Sequence, residues 1–193
     1  MRFNKIPADT FKQLQLNAGI IVKTFTPASG EVKDIIGATS GGVTFEATPT
    51  FSDFGDDIDN CPKNMKELKK IESWEAKMSG TFVTVTAAIA KSLMAASDID
   101  SGDPTHIVPR NDLAEEDFSD IWWVGDYSDQ NGANNGGFLA IKLKNSLSTG
   151  GFKIQSTDKA KGTFSFEFTG HYSIDAPETV PYEIYIKAGT EEG

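Results

Sequence analysis

Residues 163–169 read TFSFEFT, and this short stretch decides the fold class. Three phenylalanines at even positions alternate with four polar residues at odd positions, the period of two that is typical of a strand with one buried and one polar face. Residues 43–47 (VTFEA) and 73–83 (SWEAKMSGTFV) show the same alternation. Further strands are predicted at 19–25, 121–127, 138–144 and 182–187. The chain is therefore predicted to be mainly β, a sandwich or barrel.

One segment favours a helix instead of a strand. Residues 86–97 are rich in alanine, and Thr86 stands before them as a candidate N-cap. Ile89, Leu93 and Met94 follow at helical spacing, which predicts one apolar face. We expect a single helix over 86–97 that packs against the β-sheet.

Two polar segments interrupt the pattern without breaking the chain into domains. Residues 51–70 (FSDFGDDIDNCPKNMKELKK) form a long inter-strand loop with an acidic first half and a basic second half. Residues 97–120 are an acidic excursion, with eight Asp and Glu residues against Arg110. Loops of this length in a compact domain usually have a function. The chain shows no internal repeat, so we predict one domain over 1–193.

The overall composition excludes several classes of protein. The chain has 18 Lys and Arg against 28 Asp and Glu, a formal net charge of −10. A protein that grips nucleic acid needs a basic surface, so the acidic balance argues against this class. No apolar run is long enough to span a membrane, and the start MRFNKIPADTF lacks the apolar core of a secretory signal. The single cysteine, Cys61, fits a chain made in a reducing cytosol.

No catalytic or metal-binding motif is present in the sequence. Its two histidines, His106 and His171, are not accompanied by a nucleophile elbow. A calcium loop starting at Asp98 would need Gly at its sixth position and Glu at its twelfth, where Asp103 and Pro109 stand. The glycine-rich stretches lack the lysine and helix of a phosphate loop. We therefore predict no enzymatic activity, no metal and no cofactor.

The adjacent indoles of Trp122 and Trp123 point to opposite faces of the predicted strand 121–127. One of them is expected in the core. The other needs a groove, a helix or a neighbouring subunit to cover it. This leaves open one function of a different class, a β-sandwich carbohydrate-binding module that stacks a sugar on Trp122 or Trp123.

Residues 36–93 resemble the major tail protein of long-tailed, non-contractile bacteriophages (siphophages), in the stretch IGATSGGVTFEATPTFSDFGDDIDNCPKNMKELKKIESWEAKMSGTFVTVTAAIAKSL. The order of a strand, a long polar loop, a second strand and an Ala-rich helix is similar to that family. The likeness continues through IWWVGDYS at 121–128 and FSFEFTGHYSI at 164–174. The tube subunits of contractile tails and of type VI-like injection systems share this architecture and remain the alternative.

The resemblance implies a structural virion protein of the tail, assembled in the cytoplasm of a host bacterium. Six copies would form a ring, rings would stack into a tube, and the inner sheets would join into one barrel. The implied partners are further copies of the chain, a tape-measure protein inside the tube, the tail terminator, and the baseplate or distal tail proteins. Double-stranded DNA would pass through during ejection without specific binding, and no membrane contact is implied.

The faces of the strands that do not belong to the core are the candidate lining of the tube. They are small, polar and slightly acidic, which would repel DNA weakly instead of binding it. The candidate lumen residues are Thr44, Glu46, Ser73, Glu75, Lys77, Ser79, Thr81, Thr163, Ser165, Glu167 and Thr169. The assignment depends on strand register, because a slip of one residue inverts the two faces.

The resemblance also implies that the loop at 51–70 reaches the adjacent ring. Its two halves of opposite charge would meet opposite charges there and so set the register between rings. The candidate inter-ring residues are Asp53, Asp56, Asp57, Asp59, Lys63, Lys66, Lys69 and Lys70.

Overall fold

A computed structural model describes residues 5–129 and 136–190 of the chain. These residues form eleven strands, one α-helix and two short 3₁₀ turns. The strands are β1 (Gln15–Thr26), β2 (Glu31–Gly37), β3 (Thr39–Asp53), β4 (Lys69–Phe82), β5 (Ser97–Ile99), β6 (Ile107–Pro109), β7 (Ser119–Tyr127), β8 (Gly137–Ser148), β9 (Lys153–Gln155), β10 (Thr163–Thr169) and β11 (Tyr182–Lys187). The helix α1 is Ala87–Leu93, and the 3₁₀ turns are Thr10–Gln13 and Glu115–Asp117. The prediction of a mainly β fold with one helix is confirmed.

Nine strands form one antiparallel sheet that folds over on itself. Its order is β2-β1-β7-β8-β10-β4-β3, with β11 paired to β8 and β9 paired to β10. Strand β8 connects the two layers: residues 138–143 pair with β11, and Leu147 and Ser148 pair with β10. Between them Asn145 has a left-handed φ of 44°, and its side-chain amide donates to His171 O over 3.1 Å. The result is a sandwich of an upper layer (β2, β1, β7, β8, β11) and a lower layer (β3, β4, β10, with β9 and the end of β8).

The main core lies between the two layers, where the sequence alternation placed it. The three phenylalanines of β10 are buried there, as are Ala76, Met78 and Phe82 of β4. From the upper layer, β1, β7 and β8 contribute Ile21, Trp123 and Leu143. The rings of Phe82 and Phe166 lie 4.4 Å apart between centroids. Each such side chain contributes about 1.5–3 kcal/mol to stability by burial.

Helix α1 begins where predicted but is shorter than predicted. The Thr86 hydroxyl accepts from Ile89 N at 3.2 Å, so Thr86 is the N-cap, and Ile89 and Leu93 enter the core. The predicted extension to residue 97 is wrong, since the helix ends at Leu93. Ala95 has a left-handed φ of 62°, and Ser97 then enters β5. Within the described ranges, no helix has the length and apolar character that a membrane span requires.

Arg110 pairs with two acids of the acidic excursion. Strands β5 and β6 form a separate two-stranded sheet, and Arg110 follows it directly. The Arg110 Nη2 atom donates to both oxygens of the buried Asp117 carboxylate, at 2.7 and 2.9 Å. Its Nε atom lies 2.7 Å from Asp98 Oδ2, in an orientation that makes an ion pair and not a hydrogen bond. One arginine therefore ties two of the eight acids together.

Candidate assembly and lumen surfaces

The strand register brings the predicted lumen residues together on one surface, the outer side of the lower layer, here called the polar face. Across β3, β4 and β10, one row contains Thr44, Ser79 and Glu167. The next row contains Glu46, Lys77 and Thr169. The eleven predicted residues all share this side of the strands, and none of them is buried. That the polar face lines a tube remains a prediction.

The only lysine predicted on this face is neutralised by its surroundings. Lys77 Nζ lies 2.6 Å from Glu75 Oε1. This hydrogen bond and the charge of Glu75 raise the pKa of Lys77 above its ordinary value, and the carboxylates of Glu167 and Glu46 add to the rise. The ammonium thus stays charged at neutral pH but is surrounded by three acids. A phosphate group would meet no unbalanced cation at this point of the face.

The structure adds residues to the polar face that the sequence analysis missed. Lys153 of β9 pairs with Ser165 and so lies on the same side, exposed, as a second lysine. Thr149 lies in the turn after β8, where its hydroxyl donates to Glu167 Oε1 at 3.0 Å. Thr48 pairs with Glu75. Continuing the alternation of 43–47 would have found Thr48, but a three-residue strand and a turn show no periodicity.

The long loop is shorter than the predicted 51–70. Strand β3 continues to Asp53 and β4 begins at Lys69, and these two residues pair directly. The loop proper is therefore 54–68, here called the hairpin tip. The ladder extends because cross-strand pairing continues past a bulge at Thr50, a feature that the polar composition of the segment concealed.

Several charged residues that were predicted to contact the next ring instead make contacts within their own hairpin. The two Asp53 oxygens accept from Gly55 N at 3.0 Å and from Asn64 N at 3.1 Å. The ammonium groups of Lys69 and Lys70 lie 5.1 Å above the rings of Phe51 and Phe54, respectively. The predicted residues that remain exposed on the tip are Asp56, Asp57, Asp59, Lys63 and Lys66. The expectation that the basic half as a whole faces the next ring is therefore not supported by these contacts.

The hairpin tip is ordered by its own side chains. Gly55 is buried, and a Cβ added to it would lie 2.9 Å from Leu68 Cδ1 and 3.2 Å from Cys61 Sγ. Phe54 N donates to Leu68 O at 3.1 Å, which closes the base of the loop. Cys61 Sγ contacts Met65 Sδ at 3.5 Å, so the thiol takes part in packing. The tip is therefore a loop with its own internal packing, at the end of two long strands.

Strand β3 forms one edge of the sheet. Within residues 5–129 and 136–190 it pairs with β4 alone. Trp74 N donates to the Tyr172 hydroxyl at 2.8 Å, so it points away from β3. Trp74 pairs with Pro49, and in such a non-hydrogen-bonded pair both backbones point outward. Pro49 therefore directs its backbone to the free edge, where it has no N–H to offer.

The same alternation defines which backbone groups are free along β3. Every second residue before Pro49 directs its N–H and C=O away from β4, namely Val43, Phe45 and Ala47. The side chains of these three residues pack toward the core. On the other side the row ends at Gly41 and Gly42, which have φ values of +79° and +84° and shift the register. The free edge thus offers three donors within a short window.

Both indoles of the tryptophan pair are buried, at 8% exposure for Trp123 and 7% for Trp122. Trp123 lies in the main core and donates from Nε1 to Ala18 O at 3.0 Å. Trp122 lies on the outer side of the upper layer, where Phe25 and Tyr185 each lie 5.5 Å away between ring centroids. Neither ring offers a face for a sugar, so the carbohydrate-binding alternative that used these residues is wrong.

No protein-family model and no curated protein sequence matches the chain. Among solved structures, the chain is similar to one in the virion of a native gene transfer agent particle. The TM-score is 0.42 at 7% sequence identity, and the match covers 89% of this chain and 96% of that chain. The similarity extends over nearly all of both chains but is too weak to place this chain in a family.

Proposed function

We propose that the protein is the tail tube subunit of a siphophage-type virion, which forms stacked, hexameric rings and does no chemistry. The polar face carries this proposal. Strands β3, β4 and β10 hold rows of small hydroxyl and acidic side chains outside the core, and Lys77 in the middle of these rows is paired with Glu75. Around Lys77 such a wall gives a passing phosphate backbone no strong point of attachment, and Lys153 at its margin is the one lysine of the described face without an ion-pair partner.

The free edge of β3 supports the ring. Long strand edges without a partner are sticky, and closing a sheet into a barrel removes them. The row of outward backbone groups that ends at Pro49 is suited to pairing with a sheet edge of a second copy. A ring in which each copy pairs on both sides would satisfy these groups throughout.

The width of the lower layer is compatible with a bore for DNA. The layer is four strands wide, because β9 and the end of β8 share the position beside β10. Six copies would supply roughly 24 strands, and a spacing of about 4.8 Å gives a circumference of about 115 Å. The barrel would then be about 37 Å across, or about 48 Å with a tilt near 40°. After subtraction of about 5 Å of side chain on each side, the bore would still be wider than a DNA duplex.

Imaging of assembled particles tests the proposal. The concentrated chain, alone or co-expressed with its neighbouring tail proteins, is examined by cryo-electron microscopy. We expect rings with the polar face toward the bore and with the edge of β3 paired to the next copy. A particle whose sheets stay closed within each protomer, or whose bore is crowded with lysine and arginine, would contradict the proposal.

A further inference from the structure

The lower layer has two ends that differ in charge. The hairpin tip lies at one end of β4, and the ladder runs from there to the pairing of Phe82 with Phe164. Residues 152–162, which contain β9 and the turn into β10, lie at this opposite end and are here called the far end. The 14 residues of β4 place the two ends about 43 Å apart.

The hairpin tip is acidic and apolar. Residues 54–68 carry four acids and two lysines, a net charge of −2. Asp56, Asp57 and Asp59 are exposed, and no ion pair to them occurs within the described part of the chain. Beside them Phe54 and Ile58 are 59% and 53% exposed. The tip thus presents unbalanced negative charge beside two apolar side chains that remain more than half exposed.

The far end has the complementary character. Residues 152–162 carry three lysines and one acid, a net charge of +2. Lys153, Lys159 and Lys161 are all exposed, and none of them has an ion-pair partner among the residues that the structure describes. Ile154 beside them is 61% exposed, and Phe152 is 37% exposed. Opposite charge and matching apolar groups therefore lie at opposite ends of the same layer.

We propose that the hairpin tip of one copy docks on the far end of a second copy of this chain in the next ring. The inference rests on the proposed function and adds the receiving surface, which neither the resemblance nor the fold assigns. A contact between two different surfaces of identical subunits does not close on itself and generates an open stack. The acids of the tip face the lysines of the far end, and the exposed apolar side chains pack between them.

The basic half of the hairpin has a different role in this arrangement. Lys69 and Lys70 lie over the rings of Phe51 and Phe54, and Lys66 Nζ lies 3.6 Å from Glu67 Oε1. These contacts hold the charges of Lys66, Lys69 and Lys70 within one copy, whereas Lys63 is exposed and has no ion-pair partner among the described residues. The attraction between rings is thus assigned to the acidic half of the tip, from Asp56 to Asp59.

A charge-swap experiment tests the docking. The tip variant is D56K/D57K/D59K, the far-end variant is K153D/K159D/K161D, and a third chain carries both sets. We expect each single set to form rings but to reduce the mean number of stacked rings by at least about tenfold, because like charges then face each other. The chain with both sets has opposite charges again and should regain tubes. An equimolar mixture of the two single-set variants should also stack.

A matched control makes the same change in charge elsewhere. The variant D112K/E115K/E116K reverses three exposed acids of the excursion and should stack like the natural chain. Thermal melts show that each variant is folded. Single-set variants with tubes of natural length, or a combined variant that does not regain tubes, would overturn the docking and leave the tube function intact. A natural chain that forms neither rings nor tubes, even with its tail partners, would overturn both.

Discussion

Lys77 and Glu75 stand two residues apart on β4, and their charged groups meet at 2.6 Å on the polar face. This lysine is therefore bound within its own strand, whereas Lys153, the second lysine of the face, lies apart on β9. Glu46 of β3 lies opposite Lys77 in the strand register, and Glu167 of β10 provides a third carboxylate nearby. This local balance removes the Lys77 ammonium as a point at which a phosphate group could bind.

Replacing the three acids around Lys77 (Glu46, Glu75 and Glu167) by lysine should leave tube assembly intact but slow the passage of DNA. In the variant E46K/E75K/E167K we expect tubes to form, since no core residue changes. The lining would become strongly basic and bind DNA by releasing counterions, and ejection should slow by at least about tenfold. Tube formation is measured by electron microscopy, and ejection by infectivity and by the salt dependence of DNA binding to tubes. The variant E115K/E116K/E178K changes charge equally off the face, and a normal rate from the first variant would remove the electrostatic role.

A proline scan of β3 should distinguish its two edges. Ala47→Pro removes an outward N–H, so we expect an intact fold and loss of ring formation. Thr48→Pro removes an inward N–H that bonds to β4, which should lower stability by about 1–3 kcal/mol. Chemical denaturation measures stability, and sedimentation velocity measures ring formation. If Ala47→Pro forms rings as the natural chain does, β3 is not the edge that joins the copies.

Removing the hairpin tip should leave rings but no tubes. Because Asp53 pairs with Lys69, residues 54–68 can be replaced by Asn-Gly, the favoured two-residue hairpin turn. We expect the melting temperature to stay close to that of the natural chain, since the tip is ordered mainly by its own contacts. Cys61→Ser serves as a control that keeps the tip and its stacking. Long tubes from the shortened chain, seen by negative-stain microscopy, would show that the tip is not needed.

The pairing of Asp117 with Arg110 should appear in the acid stability of the chain. Burial raises the pKa of Asp117, but hydrogen bonds from Ala114 N and Arg110 outweigh burial and hold the pKa below its ordinary value. A carboxyl with a lowered pKa stabilises the fold above its unfolded pKa, near 3.9, and loses this contribution as the pH falls through the folded value.

Asp117→Asn should therefore cost about 1–3 kcal/mol at pH 7 and flatten the loss of stability below pH 4. Urea denaturation between pH 2.5 and 7 measures both effects. Asp112→Asn, a change at an exposed position, should leave the curve as it is. An Asp117→Asn curve that falls with pH as steeply as the natural one would exclude this carboxyl as a source of the acid sensitivity.

Much of the polar face could be predicted from sequence because alternation is a local property. Phe166 is buried and Glu167 lies on the other side, as the period of two requires. The burial of both Trp122 and Trp123 is harder to predict from sequence, since their side chains lie on opposite faces of β7. The structure shows that β7 is covered on both faces, which its continuous apolar run at 121–124 is consistent with.

Other features depend on distant pairing and have no local signal. Strand β2 was not predicted, because its sequence EVKDIIG does not alternate between apolar and polar residues; in the structure Asp34 within it has a left-handed φ of 58°. The three residues of β9 became a strand only by pairing with β10, so Lys153 was missed. The free edge of β3 required knowledge of the strand order. Strand register and the position of free sheet edges depend on which strands pair in the folded protein, so they cannot be read from a local stretch of sequence.

The part of the β3 edge with free backbone groups, between Gly42 and Pro49, is short, and this affects how a ring would begin to form. Gly42 and Pro49 limit a joining strand to about three residue pairs, a contact that we expect to be weak for two copies in isolation. A closed circle gives every copy two such contacts, whereas an open chain leaves its ends unsatisfied. Small oligomers should therefore be scarce during growth. Slow nucleation of this kind would keep newly made subunits monomeric until they bind to a template.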